Sequence, residues 1–99
     1  MTALAKLTLT QKTSEGIIVH FEYAELAYDV FLKYKILHTD PQNCYWDLAI
    51  SSHPLKGLVK YVLRLENGAW EKFIGINSLD SWEERILLFR LRELLAKEP

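Results

Sequence analysis

The chain has 99 residues, a formal charge of -1 with its histidines neutral, 49% hydrophobic and 25% charged residues, four Gly and three Pro. That length holds one compact domain, residues 1–99, and the composition excludes collagen-like, low-complexity and largely disordered chains. Near-neutral charge gives no general positive field for a phosphate backbone, and no apolar run approaches the ~18 residues of a membrane span.

In chain order, Leu7 and Leu9 alternate with Lys6, Thr8 and Thr10, and Ile17, Val19 and Phe21 alternate with His20 and Glu22. A period of two marks half-buried strands. Joined through the turn at residues 12–16, they predict a hairpin with Leu9 opposite Val19, Leu7 opposite Phe21 and Lys6 opposite Glu22. Ala24-Glu25-Leu26-Ala27 must then reverse the chain without Gly, Pro, Asn or Asp.

Residues 28–38 place Tyr28, Val30, Leu32, Tyr34 and Ile36 on one strand face, whereas a helix would leave Leu32 and Ile36 on its polar side. Folding back through residues 39–43 onto residues 44–51 predicts the pairs Ile36 with Trp46, Tyr34 with Leu48, Leu32 with Ile50 and Lys35 with Asp47, with Leu37 beside Tyr45 on the outer face. Next, Val59, Tyr61, Leu63 and Leu65 alternate with Lys60, Val62, Arg64 and Glu66, and Asn67-Gly68 supplies a two-residue hairpin turn. That turn predicts Leu65 opposite Trp70, Leu63 opposite Lys72, Tyr61 opposite Ile74 and Val59 opposite Ile76 on the inner face. Arg64 then meets Glu71, and Val62 meets Phe73, on the outer one.

Residues 82–97 contain no Gly or Pro. Asp80 stands three before Glu83 and Ser81 three before Glu84, so either pair fits a capping box at a helix start. Leu87, Leu88, Leu91, Leu94 and Leu95 form the expected inner stripe of that helix. The predicted fold is α+β: a six-stranded antiparallel meander sheet, curled, packed against one long C-terminal helix.

Candidate chemistry is thin. Cys44 is the single cysteine, which removes internal disulfides and multi-cysteine zinc sites and fits a cytoplasmic home. His38 and Cys44 face each other in the expected register, but no third orienting group accompanies them. His20 and His53 read as a solvated strand residue and a loop residue, and Glu83 and Glu84 as capping groups. Arg85, Arg90, Arg92 and Lys97 are interleaved with glutamates, the pattern of a solvated helix face. With no Gly-rich phosphate loop and no metal-ligand spacing, no cofactor or metal is expected.

Surplus apolar surface is the stronger signal. Trp82, Ile86 and Phe89 form a second helix stripe apart from the leucines, and Val62, Phe73, Leu37 and Tyr45, with Ile18 and Phe31, lie on the outer sheet face. Such patches point to a non-enzymatic interaction module, a homodimer or a small subunit or adaptor, docking through these surfaces. A small-molecule binder or small enzyme using the aromatic inner face is the rival expectation, and an RNA- or DNA-binding accessory protein the third.

Overall fold

A computed structural model describes residues 5–36, 43–66 and 69–97. Six strands, β1 (Lys6–Lys12), β2 (Gly16–Tyr23), β3 (Leu26–Ile36), β4 (Asn43–His53), β5 (Gly57–Glu66) and β6 (Ala69–Ile76), precede one helix, α1 (Ser81–Lys97). Every neighbouring pair is antiparallel and sheet order follows chain order, so β1 and β6 are the two edges of a single meander sheet. Strand alternation and the α+β architecture are as the sequence predicts.

The first hairpin has the expected pairs Lys6 with Glu22, Leu7 with Phe21 and Leu9 with Val19. Between β2 and β3 the chain turns through Ala24 and Glu25 alone, since Tyr23 pairs with Leu26. Ala24 takes a positive φ of 54° there, which supplies the reversal that glycine or asparagine usually provides. In the middle hairpin the expected register is two residues out. Tyr34 pairs with Trp46, Leu32 with Leu48 and Lys33 with Asp47. A shift of two keeps the same side chains on the same face, so the strand assignment survives the error. His38 and Leu37 lie outside the described residues, and Ile36 stands opposite Tyr45.

In the last hairpin the expected pairs hold from Glu66–Ala69 to Tyr61–Ile74. Beyond them Lys60 rather than Val59 meets Ile76, because Gly75 is an extra residue in β6. A Cβ on Gly75 would lie 3.2 Å from the Lys60 carbonyl oxygen, so glycine fits this bulge.

One sheet face is continuous core. Registered across it run Ile17, Leu32, Leu48 and Tyr61, flanked by Val19, Val30, Ile50, Val59 and Leu63, all buried. Helix α1 covers this face with Leu87 and Leu91 fully buried and Leu88, Leu94 and Leu95 packed at the margin. The leucine stripe therefore faces inward as its spacing requires.

Candidate functional site

The start of α1 is fastened by two acids. Asp80 holds the capping position, its carbonyl accepting from the Glu84 amide at 2.9 Å. The expected capping roles of Glu83 and Glu84 are not what their carboxylates do: both side chains turn into the core and are 3% and 8% exposed. Glu83 Oε2 accepts from the Tyr28 hydroxyl at 2.5 Å and from His53 Nε2 at 2.7 Å. Glu84 accepts from the Tyr61 hydroxyl at 2.8 Å and from the Lys72 ammonium. Each carboxylate thus has two donors and lies in the first helical turn, where the macrodipole favours negative charge.

His53 is correspondingly not the loop residue that the sequence suggests. It closes β4, its side chain is inaccessible, and its Nδ1 accepts from the amides of Leu55 and Lys56 at 3.1 Å each. Two donors converging on Nδ1 leave the ring proton on Nε2, aimed at Glu83. Burial and the Glu83 carboxylate push the Tyr28 phenol well above its ordinary pKa. Burial does the same to Tyr61, opposed by the Leu79 amide, which donates to the phenol oxygen at 2.6 Å, and reinforced by the adjoining Glu84 carboxylate. This cluster resembles an acid–base constellation in composition, but a proton-transfer group must reach its substrate. Glu83 and His53 are enclosed, so their arrangement serves as a clasp binding α1 to β3 and β4.

The reachable surface lies on the other side of the helix. At 100° per residue, Trp82 and Phe89 lie almost opposite Leu87 and Leu91. They are 67% and 60% exposed. Ile86, expected to join them, is half-buried and packs against the core instead. The exposed stripe is completed by cations: Arg85 lies 5.2 Å from the Trp82 ring, and Arg92 follows one heptad after it. Arg90 pairs with Glu93 at 3.7 Å on the other flank. Between α1 and β6, a surface groove of ≈ 480 Å³ is lined by Lys72, Arg85, Leu88, Phe89 and Arg92 among others.

Edge strand β6 borders that groove and is exposed at Ala69 and throughout residues 71–76. Ile74 was expected under the helix; it shares the inner face with Tyr61 yet is 57% exposed, because α1 leaves this edge uncovered. Past the Gly75 bulge, Ile76 turns to the outer face, opposite Lys60. There it lines a second groove, of ≈ 460 Å³, with Phe31, Ala49 and Val62. Of the residues expected on that face, Phe73 is exposed, Val62 is half-buried opposite it, and Tyr45 is half-buried beneath the Arg64 guanidinium at 5.7 Å. Leu37 lies outside the described residues, as does the His38 half of the proposed Cys44 contact.

Phe89 thus shares one groove with Lys72 of β6, Trp82 is exposed on the same side of the helix, and Val62, Phe73 and Tyr45 belong to a separate surface. Among the described residues no group of three or more His, Cys, Asp or Glu is placed to hold a metal ion, and no helix is long and apolar enough to cross a membrane. Neither a protein-family model, nor a curated protein, nor a solved structure matches the chain.

Proposed function

We propose that the chain is a protein-interaction module whose docking surface is the margin where α1 meets the free edge of β6, anchored by Trp82 and Phe89. The observation that carries this reading is the exposure of these two aromatics on the helix side turned away from the core. Burying a large apolar side chain is worth about 1.5 to 3 kcal/mol, and Trp together with Arg is enriched where partners bind most tightly. Here Trp82 and Arg85 are already stacked in an accessible position. The rival ligand-binding reading draws no comparable support, since Tyr28, Trp46 and Tyr61 of the inner face are buried in the domain's own core.

Replacing both Trp82 and Phe89 with Asp tests the proposal. In extracts of the native host, the tagged wild-type chain runs in an assembly larger than one protomer, whereas the double variant, folded by circular dichroism, runs at monomer size. A wild-type chain already at monomer size, or an assembly indifferent to the two substitutions, overturns it.

A further inference from the structure

Resting on that reading, we infer that the partner of the α1–β6 margin is an extended acidic segment that adds to β6 as a further strand. Three features of the margin converge on this class of partner. β6 ends the sheet, so among the described residues its outer row of backbone amides and carbonyls has no neighbouring strand. A strand added there lies about 4.8 Å beyond β6, with alternate side chains pointing to the two faces. On the inner side those side chains enter the groove of Lys72, Arg85 and Arg92; on the outer side they lie beside Phe73, which is half exposed.

The charges decide the inner-facing residues. Glu84 is the acid lining the groove, and it is already engaged by Tyr61 and Lys72. Arg85 stacks on Trp82, and neither Arg85 nor Arg92 has a carboxylate partner among the described residues. An incoming Glu or Asp therefore meets two guanidinium groups, which can bind carboxylates bidentately. An edge strand commonly protects itself with an inward-pointing lysine. Lys72 is instead drawn onto the helix by Glu84, so it does not stand across the edge. The Gly75 bulge ends regular pairing and confines the added strand to the run before it.

A second copy of β6 fits less well. Of its inward register positions, Trp70, Lys72 and Ile74, the central one is Lys72, which would bring a further cation toward Arg85 and Arg92. The complementary pattern is an acid at every second position with apolar residues between.

The probe is an acetylated, amidated peptide of about eight residues alternating Val and Glu, labelled for fluorescence anisotropy and titrated with the full chain. The inference expects saturable binding that weakens by about tenfold or more in three cases: Arg85→Glu with Arg92→Glu, Lys in place of Glu in the peptide, or N-methylation of its alternate amides. Both arginines are on the exposed helix face, and circular dichroism verifies that the double variant folds. Absence of saturable binding, or binding indifferent to the arginines or to N-methylation, overturns the acidic strand; so does a self-associated dimer that the peptide fails to disperse. If the peptide is ignored while an assembly sensitive to Trp82→Asp and Phe89→Asp persists, the strand is wrong and the module stands. If neither is seen, both readings fail.

Discussion

Ala24 occupies a backbone region that L-residues enter at a cost of about 1 to 2 kcal/mol, because the Cβ crowds the following carbonyl. Glycine has no such cost but loses more chain entropy on folding, so Ala24→Gly is expected to raise stability by up to about 1 kcal/mol. A higher denaturant midpoint at unchanged slope is the readout. Asn77, at φ 56°, needs no such relief: asparagine tolerates this region, and its amide donates to the carbonyls of Lys56 and Leu58 at 3.1 and 2.8 Å. Gly16 is constrained in the opposite sense. A Cβ there would lie 2.0 Å from the Leu32 carbonyl oxygen, so Gly16→Ala has to push β2 away from β3. The buried acids are equally specific. Glu83→Ala strands the Tyr28 hydroxyl and the His53 Nε2–H in the core, and equilibrium unfolding is expected to show a loss of about 3 to 5 kcal/mol.

At the scale of elements, those acids tie α1 to four strands, and the tie has a pH signature. Tyr28 and Tyr61 hold their protons more firmly in the folded chain than in the unfolded one, chiefly because burial penalises the phenolate and secondly because a carboxylate adjoins each. The unfolded chain begins to release these protons near pH 10 while the folded chain still retains them. Their contribution to stability is therefore complete below about pH 10 and falls above it, by about 1.4 kcal/mol per pH unit for each tyrosine. Tyr28→Phe should lower stability at neutral pH, by removing a donor from Glu83, yet flatten the alkaline decline; urea midpoints across that range compare the two slopes. These contacts also show what was legible in the sequence. The first and last hairpins could be registered because Lys6–Glu22 and Arg64–Glu71 matched charge while their neighbours matched apolar faces. The middle hairpin offered two registers, Asp47 against Lys33 or Lys35, separated by a step that preserves both faces, and composition could not choose between them. Bulges at residues 9–11 and at Gly75 add one residue without disturbing the polar pattern enough to be seen. Burial of Glu83 and Glu84 was masked by a simpler role for acids in a first turn. One signal pointed to it: Lys72 falls in the apolar inner register opposite Leu63, a place where an ammonium needs an anion.

For the whole molecule, the sheet depends for its core on α1, the one helix among the described residues, which covers one of its faces. The face under α1 carries Val19, Phe21, Val30, Leu32, Leu48, Ile50, Val59 and Leu63, almost wholly sequestered. Ending the chain after Asp80 uncovers that surface and removes the acids that satisfy Tyr28, His53, Tyr61 and Lys72. Such a truncation is expected to lack a cooperative thermal transition and to aggregate. The same asymmetry separates the two sides of α1 by substitution. Leu87 is fully enclosed, so Leu87→Ala deletes contacts and leaves a cavity, costing about 2 to 5 kcal/mol. Trp82 and Phe89 contribute little to that core, and Trp82→Asp with Phe89→Asp should change stability by no more than about 1 kcal/mol while improving solubility. Thermal melts of the two variants at matched protein concentration provide the comparison. If the aspartates cost as much as the leucine deletion, the aromatic side of the helix belongs to the domain's own fold and its availability to a partner is lost.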